Sequence, residues 1–152
     1  MYEKDKKFMW EAIKEAEKSL ALDEVPVGAV IVKDNKIIAR GHNLREKTHD
    51  PTSHAEIVAI RKACKKLKSW RLEGCTIYVT IEPCAMCAGT LLWSRIDRIV
   101  YGANDAKGGA VGTCLNLFQI KGMNHHPEIT RGCLDGACAA LISDFFKKKR
   151  QK

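Results

Sequence analysis

Thr76-Ile77-Tyr78-Val79-Thr80-Ile81-Glu82-Pro83-Cys84-Ala85-Met86-Cys87 decides how this chain is read. Its first half is β-branched and aromatic, which predicts a strand over 76–81. Pro83 suits the first turn of a helix, where its missing N–H leaves nothing unpaired. The run from Cys84 to Ser94 continues as that helix, and Arg98–Tyr101 is a further short strand.

Working outward, Met9, Ala12, Ile13, Ala16 and Leu20 fall at helical spacing and predict an amphipathic helix from about Lys4 to Leu20. Val25–Val32 is an apolar run broken only by Pro26 and Gly28. The polar turn Lys33-Asp34-Asn35-Lys36 joins it to a second strand, Ile37–Arg40, which together read as a hairpin. Residues 41–53 are polar and read as a loop, and Ser53-His54-Ala55-Glu56 opens a helix to about Leu67. On the far side, 102–112 holds four glycines and reads as a loop, 113–130 carries no clear pattern, and Leu134–Lys149 is a last amphipathic helix. Helices alternating with strands imply an α/β fold with helices on both faces of a central sheet, mixed because it contains a hairpin.

A chain of 152 residues fits one domain, 1–152, ending in a basic tail at 147–152. With 45% hydrophobic residues it is too apolar for a disordered chain, and no apolar run approaches the roughly 20 residues that span a bilayer. The charged start, Met1-Tyr2-Glu3-Lys4-Asp5-Lys6-Lys7, leads into no apolar segment, so a cytoplasmic location is expected. The net charge is +8, and five of the positive charges are Lys147, Lys148, Lys149, Arg150 and Lys152. Such a surplus favours a polyanionic partner by counterion release, although a basic end also suits a helix C-terminus. Seven cysteines, an odd count, argue against a disulfide framework.

Cys84 and Cys87 stand apart as Cys-x-x-Cys. Three residues apart on a helix, their sulfurs share one face, and the positive helix N-terminus favours the metal-binding thiolate. His54 also lies where a loop enters a helix. One imidazole and two thiolates suit Zn²⁺ and leave one tetrahedral position open, as a catalytic zinc requires. Glu56, in the same first turn, is placed to carry a proton from an activated water to a leaving group. Ser53-x-x-Glu56 also fits a capping box, in which Glu56 would only bond the backbone. Together, His-x-Glu and Pro-Cys-x-x-Cys form the zinc deaminase signature.

Further segments carry a closer resemblance. Asp23-Glu24-Val25-Pro26-Val27-Gly28-Ala29-Val30, His49-Asp50-Pro51-Thr52, and Tyr78 through Gly89 resemble the bacterial tRNA-specific adenosine deaminase family, within the cytidine deaminase superfamily. So do Tyr101-Gly102-Ala103-Asn104-Asp105-Ala106-Lys107, Gly122-Met123-Asn124-His125 and Ser143-Asp144-Phe145-Phe146. The resemblance spans about Phe8 to Arg150. It implies a three-layer αβα sandwich around a five-stranded mixed sheet, a homodimer, one zinc per subunit, and hydrolysis of the wobble adenosine of a tRNA anticodon to inosine. It implies that His54, Cys84 and Cys87 hold the zinc and that Glu56 is the proton carrier. By the same resemblance Asn43 contacts the base, and Pro26 and Val27 form an apolar wall. Asp105, Lys107 and Asn124 contact flanking nucleotides, while Phe145 and Arg150 hold the anticodon loop.

Two positions depart from the family pattern. Gly108-Gly109 makes the loop after Lys107 unusually flexible, and Trp93 is larger than expected, which points to packing or a dimer interface. Two other readings compete. One is a guanine or cytidine deaminase acting on a free base or nucleoside. The other is a non-catalytic RNA-binding zinc module, with His42, His49 or another cysteine closing the shell.

Overall fold

A computed structural model describes residues 2–151, so Met1 and Lys152 of the charged ends lie outside the described residues. Helix α1 (Glu3–Ala21) leads into the hairpin β1 (Gly28–Lys33) and β2 (Lys36–His42). A single turn, α2 (Arg45–Thr48), precedes α3 (Ala55–Leu67). Then come β3 (Cys75–Ile81), α4 (Ala85–Trp93), β4 (Arg98–Ala103), a 3₁₀ turn at Leu117–Gln119, β5 (Glu128–Thr130) and α5 (Asp135–Arg150).

The strands form one mixed sheet in the order β2-β1-β3-β4-β5. β1 pairs antiparallel with both β2 and β3, whereas β3, β4 and β5 run parallel. The hairpin turns on Asp34 and Asn35, both at positive φ (51° and 61°), the two-residue geometry that matches strand twist. Alternation along the strands feeds two cores. Ile31, Ile77, Val79 and Ile99 pack under α3 and α4 with Ala59, Ile60 and Leu91. Val30, Val32, Tyr78 and Val100 pack under α1 and α5 with Phe8, Met9, Ile13 and Cys138. The expected three-layer αβα sandwich with a five-stranded mixed sheet is therefore the observed fold.

Several boundaries differ from the sequence reading, and the stretch 41–53, expected as a loop, gives its first two residues to β2 and holds α2. Val25–Val27 lies outside β1, because Pro26 has no N–H to give a ladder. β4 extends through Gly102 to Ala103, so the glycine-rich loop starts two residues later than expected. The fifth strand hides in the patternless stretch as Glu128-Ile129-Thr130, three residues too polar and too few to show a period. Gly41 sets how closely a helix approaches the sheet. A Cβ there would sit 2.4 Å from the Ala55 carbonyl, so its absence lets the start of α3 press against β2.

Candidate active site

The carboxyl ends of parallel strands are where an open α/β sheet usually binds its ligand, and the chemistry gathers there. His54 is the N-cap of α3 and Cys84 the N-cap of α4, both with extended backbone, and Cys87 follows in the first turn of α4. The two helix starts converge. Nδ1 of His54 lies 3.7 Å from Sγ of Cys84 and 3.5 Å from Sγ of Cys87. Tetrahedral zinc, with Zn–N of about 2.0–2.1 Å and Zn–S of about 2.3 Å, needs N···S separations of about 3.6 Å. The donor set therefore fits zinc in type and in spacing. Among the described residues, no other His, Cys, Asp or Glu joins this group, and neither His42 nor His49 closes the shell.

Glu56 is buried in the first turn of α3, with its carboxyl against the Cys87 thiol. Because His54 rather than Ser53 is the N-cap, Glu56 stands one place too early to complete a capping box. Ser53 instead accepts a hydrogen bond from Thr48 through its side chain. Burial pushes the Glu56 carboxyl up to about 7, with the Cys84 charge adding to the rise and His54 opposing it. The Cys87 thiol hydrogen bond draws Cys84 down to about 4, helped by His54. Cys87 is driven upward by the same bond and by burial, while the bond to Cys84 raises His54.

These residues floor a cavity of about 480 Å³ lined by Val25, Val27, Asn43, Arg45, His54, Glu56, Ile81, Glu82, Cys84, Asn104–Lys107, Ile142 and Phe146. Asn43 is buried at the wall. Its amide donates to the Val25 carbonyl (3.2 Å) and its oxygen accepts the Arg45 N–H (3.3 Å). An amide has two donors and two acceptor sites, so one of each stays open. Val27 lines the cavity, but Pro26 points into the protein, since an extended chain alternates sides and Val25 takes the second wall position. Asp105 and Lys107 stand at the rim, with Asp105 Oδ1 accepting the N–H of Lys107 (3.0 Å) and of Gly108 (3.3 Å).

The remaining expected residues lie elsewhere. Phe145 faces a second cavity, about 310 Å³, between the ends of α1 and α5, with Leu20, Asp23 and Lys148. Its neighbour Phe146 takes the wall of the first cavity, because successive helical residues turn away from one another. Arg150 sits one turn beyond Phe146 on the same side of α5. Asn124 is exposed at the opposite end of the sheet, next to His125, whose ring meets the Ile96 carbonyl at 2.6 Å.

Arg45, Asn104 and Ile142 were not foreseen. The turn that carries Arg45 is held by Glu24, a buried residue whose carboxylate accepts the N–H groups of Glu46 (3.0 Å) and Lys47 (2.9 Å). Nothing local marks that contact in the sequence. The acidic residue in Asp23-Glu24 was visible, its target twenty-two residues on was not.

Comparison with other proteins gives the arrangement its kin. Residues 3–150 match the family model of MafB19-like deaminase. The tRNA-specific adenosine deaminase of Bacillus subtilis (strain 168) is 50% identical over 148 residues, 97% of this chain and 92% of that one. The tRNA-specific adenosine deaminase of Haemophilus influenzae is 48% identical over 97% of this chain and 86% of its own. A solved structure from work on A-to-I editing by tRNA:A34 deaminases at the wobble position of transfer RNA superposes with a TM-score of 0.86 at 43% identity, covering 88% of this chain and 97% of that one. Matched almost end to end, this chain belongs to the MafB19-like deaminases and to the family of tRNA-specific adenosine deaminases.

Proposed function

We propose that this protein hydrolyses the wobble adenosine of a tRNA anticodon to inosine, releasing ammonia. The observation that carries this is a three-donor site, His54, Cys84 and Cys87, next to a buried Glu56 at the floor of a pocket open to a base. Zinc in that shell supplies Lewis acidity that makes water a nucleophile near neutral pH. Glu56 takes a proton from the attacking water and delivers it to N1 of the adenine while the water oxygen bonds to C6. The second proton passes through Glu56 to the exocyclic nitrogen. The C6–N bond then breaks, ammonia leaves, and the C6 carbonyl and N1–H of inosine remain. A carboxyl drawn up towards neutrality by burial suits both taking and returning a proton. The open donor and acceptor of Asn43 suit a purine edge, and Val27, Ile142 and Phe146 offer the apolar surface on which a splayed-out base stacks.

We infer a cytoplasmic location from the tRNA substrate of the proposed reaction. Among the described residues no helix is long and apolar enough to cross a membrane. We infer a homodimer from the exposed apolar residues Met86 and Trp93 (67% exposed) of α4, and Leu115 and Ile120 on either side of the 3₁₀ turn that packs on it. An unpartnered apolar patch of this kind marks an interface. Asn124 does not line the cavity of its own chain, so the nucleotide contact that the resemblance implies for it would be made in a partner's site. Sedimentation equilibrium showing a monomer would remove this inference.

The deciding experiment is incubation with a tRNA anticodon stem-loop and assay for inosine, beside Glu56→Ala. Wild type makes inosine, while the variant loses at least about a thousandfold in turnover and keeps its zinc. Faster turnover of free adenine, guanine or cytidine than of the RNA overturns the reading in favour of a small-molecule deaminase. Zinc lost with Glu56 would make that residue structural.

A further inference from the structure

The cavity holds two buried glutamates, Glu56 and Glu82. Glu82 lines the same wall, 1% exposed and two residues before Cys84. Its carboxylate is saturated. Oε1 accepts the N–H of Asp105 (3.1 Å) and the hydroxyl of Thr113, and Oε2 accepts the N–H of Val111 (2.9 Å) and of Thr113 (3.1 Å). A carboxylate offers about four acceptor sites, so Glu82 has none left for a proton of the reaction. The loop also closes on it physically. A Cβ at Gly109 would lie 2.4 Å from the Glu82 carboxyl carbon, so that position must be glycine for the chain to wrap around it. Ala110 N–H completes the seam by bonding the Pro83 carbonyl at 2.9 Å.

On the deaminase reading of the pocket, we propose that Glu82 is a positioning residue for the nucleic acid beside the reacting base. Its carboxylate is the hub on which the segment 104–113 folds. The hub fixes Asp105, Ala106 and Lys107 at the rim relative to Cys84, joining the metal-bearing helix start to the surface that meets the flanking nucleotides. Glycines 108 and 109 do not leave this loop loose, because four hydrogen bonds to one buried group hold it.

The test is Glu82→Gln, whose amide hydrogens face N–H donors. With the anticodon stem-loop, KM rises about tenfold while kcat stays within about twofold, as when binding common to ground and transition states is lost. Zinc content is unchanged. Stem-loop affinity is measured separately by fluorescence anisotropy in the Glu56→Ala background, where Glu82→Gln weakens binding about tenfold. Inactivity of the wild type on RNA, with this weakening still seen, would defeat the proposed reaction and leave the positioning role standing. Thr113→Val, at an exposed loop residue, removes one of the four donors and guards against misfolding of the first variant. It raises KM about threefold in the same direction. Gly109→Ala acts on the same hub, so its effect and that of Glu82→Gln do not add. A tenfold fall in kcat at constant KM, loss of zinc, or unchanged KM and affinity in both Glu82→Gln and Thr113→Val would each overturn the proposal.

Discussion

Nδ1 of His54 lies 3.5 Å from Sγ of Cys87, although thirty-three residues of chain separate them. The contact joins the starts of α3 and α4, which otherwise touch little. A metal here ties two helices as well as serving chemistry, so removing it should loosen the fold. Chelation is expected to lower the melting temperature, since a ligand present at a thousand times its Kd stabilises by about 4 kcal/mol. Cys87→Ala should bring zinc content, by atomic absorption, from one ion per chain to none. A chelated protein that melts unchanged would show that the donors carry no metal.

Phe145 and Phe146 are adjacent and chemically equal, but the structure divides their work. Phe146→Ala should raise KM for the stem-loop about tenfold, the value of one base–aromatic stack. Phe145→Ala should instead cost stability, by about 1–3 kcal/mol of lost burial between α1 and α5, with KM nearly unmoved. Urea unfolding beside steady-state kinetics separates the two.

The buried pair of Asp5 and Arg98, bonded at 2.8 and 2.6 Å, ties α1 to β4. Burial alone would raise the Asp5 carboxyl, but Arg98 and the Tyr78 hydroxyl outweigh it and hold it below its ordinary 3.8. A depressed carboxyl stabilises the fold above its unfolded value and loses that contribution as pH falls through the folded one. Asp5→Asn, which leaves Arg98 only the exposed Glu128 at 3.4 Å as a counter-charge, should cost about 3 kcal/mol at neutral pH. The gap between wild type and variant should narrow below pH 3.8, as read from urea titrations across acid pH. A gap independent of pH would assign the cost to packing.

At the end of α5, Lys149 already pairs with Asp23 at 2.6 Å. Neutralising Lys147, Lys148 and Arg150, while sparing Lys149, should therefore weaken stem-loop binding without loosening the helix. The slope of log affinity against log salt should flatten by about 0.7 for each phosphate no longer neutralised. An unchanged slope would leave the tail as a solubiliser.

What the sequence made legible was whatever repeats locally. α1, the hairpin, α3, β3 and α4 announced themselves through period and turn chemistry, and the metal donors through Cys-x-x-Cys at a helix start. β5 was invisible because three residues, two of them polar, carry no pattern of their own. The choice between capping box and proton carrier for Glu56 hinged on one residue of helix register, whether Ser53 or His54 is the cap. Pro26 against Val25, and Phe145 against Phe146, turned on orientation, which adjacency cannot give. Glu24 and Glu82 act across twenty or more residues, so only the folded chain shows what their carboxylates hold.

The tight turn at Asp34 and Asn35 lies beyond Lys33, which pairs with Cys75 at the opening of β3, whereas Cys84 follows that strand's close. The length of the sheet thus insulates this bend from everything reactive. It is the natural place to graft a foreign peptide or a fluorescent handle, because a guest there inherits a rigid anchor and stands clear of arriving RNA.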